Sequence, residues 1–219
     1  MLSSSTLRFL EALRKNNNRE WFEKNRSQYE AATSDFREFV RKTIAELGKM
    51  NKTLAALEPK DCIFRIYRDV RFSKDKKPYK AHFGAYFVPG GKKSPLAGYY
   101  LHIEPGGKSF LGGGVYMPES ANLFKIRQEI LYNAEPFKKI ISGKSFKHYF
   151  GELWGDKLKT PPRNFPKEHK DIELLKFKSY IAFHDLSDSR ILSKDFGTYI
   201  LKIFREMEPF NAFINRALD

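Results

Sequence analysis

The feature that most limits the fold is a change of rhythm. From Cys62 to Met117 apolar residues recur at every second position, the spacing of a half-buried strand. On either side they recur at three- and four-residue steps, the spacing of a helix face. Four strands are predicted, at about Cys62–Phe72, His82–Val88, Gly98–Glu104 and Ser109–Met117. Pro105–Gly107 separates the last two and predicts a tight hairpin, while Pro89–Gly91 opens a longer loop containing Lys92, Lys93 and Pro95. Strands joined this way form an antiparallel meander.

The flanks are helical. Leu7, Leu10 and Leu13 mark a short first helix that stops at Asn16–Asn18. Asn17 with Glu20 predicts a capping box for a long second helix carrying Phe22, Tyr29, Ala32, Phe36, Phe39, Val40, Ile44 and Leu47, with Gly48 at its end. After Pro118 the helical step returns at Leu123, Ile126 and Ile130. Glu135–Pro136 opens a further piece that Gly143 closes. Leu158–Lys170 is proline-rich, basic and irregular, as lids and binding segments often are. One more strand is expected near 179–184. Ser193 then caps a last helix that Pro209 should kink or break. The fold class is therefore α+β, with a meander of about four to five strands flanked by N-terminal and C-terminal helices. A single domain over 1–219 is expected: helical at 1–50, mainly sheet at 62–117 and mainly helical at 118–219.

Gly112–Gly114 interrupts the fourth strand pattern. A bulge, or an aromatic ring lying across the backbone, is the favoured reading over a ligand set against bare main chain.

The charge balance narrows the partners. Lys and Arg number 40 against 26 Asp and Glu, a net charge of +14, and the pI is near 9.7. Such a surplus suits anionic ligands, nucleic acid among them. No apolar stretch is long enough to span a bilayer, and the N-terminal residues carry no secretory h-region. The single cysteine, Cys62, cannot form an internal disulfide, which suits a reducing cytoplasm. Phosphate-binding glycine loops, nucleophile elbows, spaced cysteine pairs and dinucleotide fingerprints are all missing, so no cofactor is named. Nothing in the pattern sets an oligomeric state.

Charge concentrates at the end of the first strand pattern, in "FRIYRDVRFSKDKKPYK", Phe64–Lys80. Between Arg65 and Lys80 stand seven cations (Arg65, Arg68, Arg71, Lys74, Lys76, Lys77 and Lys80) and two aspartates, Asp69 and Asp75. On a strand Arg68 would share the apolar face with Phe64 and Ile66, and a charge there requires a partner. That partner is either a carboxylate of this chain or an anion from outside. Ser73 and Tyr79 add hydroxyls, and Pro78 stiffens the turn.

The same run, together with "GYYLHIEPGGKSFLGGGVYMP", "KIRQEI" and "SYIAFHDLSD", resembles the domain-of-unknown-function family numbered twenty-four sixty-one, from about Leu7 to Phe213. The positions that carry the resemblance are Arg65, Arg68, Asp69, Arg71, Phe72, Asp75, Lys76, Pro78, Tyr79 and Lys80, then Gly114, Pro118 and Arg127. Tyr116 departs from it, standing where the family has tryptophan. The resemblance implies bacterial and fungal relatives and a single domain, and it brings neither an activity nor a ligand.

Three functional readings follow. The first is a binding module for a phosphate- or carboxylate-bearing ligand, contacted by Arg65, Arg68, Arg71, Lys76, Tyr79, Lys80 and Arg127. The second is an enzyme acting on a phosphorylated or carboxylated small molecule, with proton transfer drawn from Asp69, Asp75, Tyr79, His102 and Glu104. The third is a charge network that only holds the sheet to its helices. His102 and Glu104 share one strand face with Tyr100, and His82 could lie near. Two ligands are too few for a metal, so no metal site is expected and a satisfied polar face is the favoured reading. His184–Asp185 reads as a strand-ending turn, and Trp21 and Trp154 as packing residues.

Overall fold

The computed structural model describes residues 1–218. Ten α-helices and four strands occur in this order: α1 (Ser4–Lys15), α2 (Arg19–Lys24), α3 (Arg26–Met50), α4 (Pro59–Cys62), β1 (Phe83–Phe87), β2 (Gly98–Ile103), β3 (Ser109–Val115), α5 (Ser120–Tyr132), α6 (Ala134–Ser142), α7 (Lys144–Phe150), α8 (Ile172–Leu175), β4 (Tyr180–Leu186), α9 (Asp188–Ile191) and α10 (Phe196–Arg216). The strands form one antiparallel sheet in the order β1-β2-β3-β4. The fold is α+β, with helices at both ends of the chain.

Two compact units divide the chain. The first comprises Met1–Lys92, Tyr100–Leu111 and Asp185–Leu201; the second comprises Lys93–Tyr99, Gly112–His184 and Lys202–Asp219. In the first, Phe36 of α3 stacks on Phe83 of β1 at 5.1 Å, and Phe39 stacks on Phe196 at 5.3 Å. Leu10, Leu13, Phe22, Val40, Leu101 and Ile103 complete its apolar interior, all at most 1% exposed. In the second, Phe137 packs on Phe213 at 4.8 Å and on Phe210 at 6.1 Å, and Tyr99 packs on Phe204 at 4.9 Å. The aromatic share of the sequence thus supplies both interiors.

Several local expectations change. Asn18, not Asn17, caps α2, accepting from the Trp21 N–H. Asn17 serves elsewhere, as described below. The long second helix is two helices, with the break at Asn25. Gly48 lies inside α3, where the lack of a side chain admits Ala55; a Cβ there would sit 2.9 Å from the Ala55 Cα. Pro209 does not end α10, which runs through to Arg216. The first predicted strand is absent. Cys62 closes the short helix α4, and residues 63–80 form only isolated antiparallel bridges, Ile63 with Ala85 and Tyr67 with Tyr79. His184 and Asp185 are strand residues of β4 and do not form a turn; His184 Nδ1 meets the Tyr149 carbonyl at 2.8 Å.

Candidate functional site

The segment from Ile63 leaves α4 and follows the edge of β1. The Phe64 N–H donates to the Gly84 carbonyl, the Lys80 N–H to Ile66 and the Arg68 N–H to Pro78. A second clasp comes from the turn between α1 and α2. Asn17 Nδ2 donates to the Tyr79 carbonyl (2.9 Å), and the Tyr79 N–H donates to Asn17 Oδ1 (3.1 Å). Tyr79 itself is buried and stacks flat on Phe22, with ring centroids 3.9 Å apart. Burial pushes its hydroxyl pKa up.

Beyond Tyr67 the chain leaves this pairing and turns back on itself, so the strand-face argument no longer applies. Arg68 does not enter the core: its guanidinium pairs with Asp75 at 2.8 Å and donates to the Lys77 carbonyl at 3.0 Å. Arg71 grips Asp69 through two N–H donors, at 3.0 and 2.7 Å. Lys76 donates to the Val70 carbonyl. The Arg71 guanidinium holds the Asp69 carboxyl below its usual range. The backbone N–H of Lys77, then Arg68, does the same for Asp75. Both aspartates of this stretch are thus paired with its two arginines. The Arg68–Asp75 pair is partly open to solvent, with side chains 26% and 54% exposed. Arg68→Ala is therefore expected to cost only about 0.5–1 kcal/mol in urea unfolding; a loss of several kcal/mol would mean that the pair carries the fold.

Arg65, Lys74, Lys76, Lys77 and Lys80 stand outside these ion pairs; Lys74, Lys76 and Lys77 are exposed to solvent. Among the described residues, no carboxylate lies within ion-pair distance of Arg65 or Lys80. Lys80 is half-buried, its ammonium 5.7 Å from the centre of the Phe64 ring. Burial first, then Arg65, lowers its pKa.

Lys80 leads directly into a polar cluster on one sheet face. His82, Tyr100, His102 and Glu104 converge there. Gly84 makes room for Tyr100, since a Cβ at Gly84 would lie 2.6 Å from the Tyr100 hydroxyl. One antiparallel step along, His82 meets His102, with ring centroids 4.2 Å apart. His102 lies flat against Phe110 at 4.6 Å and is 8% exposed. Its two nitrogens are both engaged: Nδ1 faces the Tyr100 hydroxyl at 3.2 Å, and Nε2 faces Glu104 Oε2 at 3.1 Å. His82 Nδ1 lies 3.9 Å from the same oxygen. Lys108 approaches the other Glu104 oxygen at 3.8 Å.

Burial lowers both imidazoles to about 4. His102, then Lys80, add repulsion at His82, which Glu104 opposes; Lys80 adds repulsion at His102. Both rings are thus neutral at pH 7. Burial also raises the Tyr100 hydroxyl to about 12. The arrangement offers neutral imidazole nitrogens and a carboxylate at one point, with a half-buried ammonium nearby.

The sequence-predicted residues therefore separate. Lys80, His102 and Glu104 belong to one neighbourhood, with Arg65 beside Lys80. Arg68, Arg71, Lys76, Asp69 and Asp75 belong to the self-paired loop. Arg127 lies in the second unit, 8% exposed, where Nη2 donates to the Phe177 carbonyl at 2.9 Å. Sequence reasoning placed His82 only as able to lie near His102 and Glu104, and it did not bring out Asn17, Phe64 and Phe110 as supports. The register of the β1–β2 pair was the signal for His82: once Gly84 sits against Tyr100, the alternation places His82 against His102.

An α+β domain with a basic edge segment and a histidine–glutamate cluster on one sheet face is the class of protein that these features define. The family model described as "Conserved hypothetical protein (DUF2461)" matches residues 5–213. The chain belongs to this family, which has no characterised activity. No curated protein and no solved structure matches the chain.

Proposed function

We propose that this protein binds an anionic ligand, one bearing a phosphate or carboxylate, at Arg65 and Lys80. The observation that carries the reading is Lys80. An ammonium that is half-buried, placed beside a second cation and outside any ion pair among the described residues is held at a cost in free energy. An anion seated between the two cations removes that cost and gains charge-assisted hydrogen bonds. The net charge of +14 draws such ligands in. The single Cys62, fully buried and with its thiol pushed up to about 12 by burial, suits a cytoplasmic home. We take the chain as one domain, because β2, β3, β4 and α10 each contribute residues to both compact units.

The test is a titration with inorganic pyrophosphate, followed by calorimetry, alongside fluorescence anisotropy with a labelled single-stranded oligonucleotide across a salt series. Lys80→Ala and Arg65→Ala are each expected to weaken pyrophosphate binding about tenfold, the worth of one charge-assisted contact. Arg71→Ala should change it less than about twofold, because that guanidinium is already held by Asp69. Equal binding by the wild type and the Arg65→Ala/Lys80→Ala double variant would overturn the reading. Tight oligonucleotide binding that falls steeply with salt would assign the anion to nucleic acid.

A second reading rests on His102. A neutral imidazole linked on one side to Tyr100 and on the other to Glu104 is equipped to move a proton. With Lys80 beside it, this favours an enzyme acting on a phosphorylated or carboxylated small molecule over a purely passive binder.

A further inference from the structure

We propose that His82, His102 and Glu104 form a binding site for a divalent first-row transition metal ion, with Tyr100 as the residue that orients His102. This goes beyond the anion-binding reading and stands without it.

The geometry is the first argument. One ligand atom from each of the three side chains lies within 4.8 Å of the others. Four-coordinate zinc, with bonds of about 2.0–2.2 Å, holds its donor atoms roughly 3.4 Å apart. The two contacts at Glu104 Oε2, 3.1 Å from His102 and 3.9 Å from His82, bracket that spacing. A modest side-chain adjustment of His82 completes a three-ligand set, leaving one coordination position for water or an anion. Two imidazoles and one carboxylate suit Zn²⁺, Fe²⁺, Co²⁺ or Mn²⁺ better than Ca²⁺ or Mg²⁺, which prefer oxygen donors.

The second argument is the support behind the ligands. A metal-binding histidine commonly offers its other ring nitrogen to a hydrogen-bond partner that fixes its tautomer. His102 Nδ1 has that partner in the Tyr100 hydroxyl, at 3.2 Å. Phe110 stacks against the His102 ring and holds its plane. Tyr100 in turn depends on Gly84, whose missing side chain leaves space for the hydroxyl. When Nε2 donates to Glu104, Nδ1 accepts from Tyr100. When a metal takes Nε2, the proton moves to Nδ1 and the Tyr100 oxygen accepts it. His102 Nδ1 therefore keeps a partner in either tautomer while Nε2 is freed for the metal.

The third argument is charge. Glu104 brings one negative charge, Lys108 lies 3.8 Å from it, and Lys80 lies near His102. A dication here therefore leaves a cationic locus, and its open position would be filled by hydroxide or an anion rather than by another protein carboxylate.

The experiment measures binding of Zn²⁺ alone, with no anionic ligand added, to protein stripped with chelator. Competition against a chromophoric chelator gives affinity and stoichiometry, and the visible spectrum of the Co²⁺ form reports coordination. One ion per chain is expected. His102→Ala and Glu104→Gln should each weaken binding at least 100-fold, and Tyr100→Phe about tenfold, in keeping with loss of a supporting hydrogen bond. The Tyr100→Phe variant and a His82→Gln variant guard against misfolding of the alanine variant, and far-UV circular dichroism checks each. Double substitution of His148 and His169, which belong to neither the ligand set nor its supports, should leave binding unchanged. The inference is overturned if Zn²⁺ binds with less than one equivalent at 100-fold excess. It is overturned equally if binding survives His102→Ala, or if it is lost with His148 and His169. Because no anion is present, a positive result here and a negative pyrophosphate titration can coexist, as can the converse.

Discussion

Gly114→Ala is expected to abolish stable folding or to lower the melting temperature by roughly 8–16 °C, the equivalent of about 4 kcal/mol in a chain of this size. Two physical terms add. The φ of Gly114 is 105°, a region that a side-chain-bearing residue adopts only under strain. A Cβ at this position would also lie 2.0 Å from the Tyr180 carbonyl oxygen and 2.9 Å from the ring of Phe210. The carbonyl belongs to the adjacent strand and cannot swing aside as a flexible side-chain tip could. Gly197→Ala is the matched control. It lies in α10, and a Cβ there meets nothing within 4 Å. Alanine's higher helix propensity should make that variant as stable as the wild type or more so, by up to about 1 kcal/mol. Thermal unfolding of the two variants side by side decides the matter; equal losses would show that the close approach of Tyr180 and Phe210 is not what requires glycine.

The second large effect is expected with acid. In the presence of EDTA, lowering the pH from 6.5 to 4 should remove stability on the order of 5 kcal/mol through His82 and His102 together. Both imidazoles have folded-state pKa values of about 4, below the ordinary histidine range. Between those limits the unfolded chain binds protons that the folded chain refuses. Unfolding is therefore favoured as pH falls through the window, and the contribution is fully present above the unfolded value. Lys80, Lys108, Glu104 and Tyr100 are the other ionisable groups that face the pair. Lys80 repels a proton on either ring, and Glu104 attracts one at His82. Urea unfolding at steps of one pH unit, with a His82→Gln/His102→Gln variant alongside, measures the effect. The variant should lose clearly less over the same range, keeping only the contribution of carboxylates such as Asp69 and Asp75. Parallel pH profiles would show that the histidines titrate as they do in the unfolded chain.

These two sites differ in how well the sequence discloses them. Alternation alone located β1, β2, β3 and β4 to within a few residues, because each of these strands buries at least one face. The same alternation misled at Cys62–Phe72. Phe64 and Ile66 do follow the edge of β1, yet Phe72 is 96% exposed and Arg68 turns to Asp75. Past Tyr67 the segment has no neighbour to enforce a register, so alternation there is coincidence rather than packing. The helix ends were less legible for a related reason. Asn17 and Asn18 are chemically equivalent as caps, and only the tertiary demand at Tyr79 decides which of them caps α2. The glycine run at Gly112–Gly114 was readable as a place of close approach, whereas the identity of what approaches, Met207 at Gly113 and Tyr180 with Phe210 at Gly114, depends on residues 66 to 96 positions away. Of the candidate site, His102, Glu104 and Tyr100 were legible because they share one strand. The contribution of His82 required the pairing between two strands, which no single stretch of sequence encodes.

The Asn17 clasp has a consequence of its own. Its side-chain amide imitates a strand backbone, giving and receiving one hydrogen bond at Tyr79. Lys80 is the very next residue, so a half-buried cation near the histidine cluster takes part of its bearing from the N-terminal helices. Substitutions in the turn between α1 and α2 should therefore be felt at Lys80 and combine non-additively with changes there. A helical hairpin far away in sequence acts as the tuning peg for the reach of one lysine.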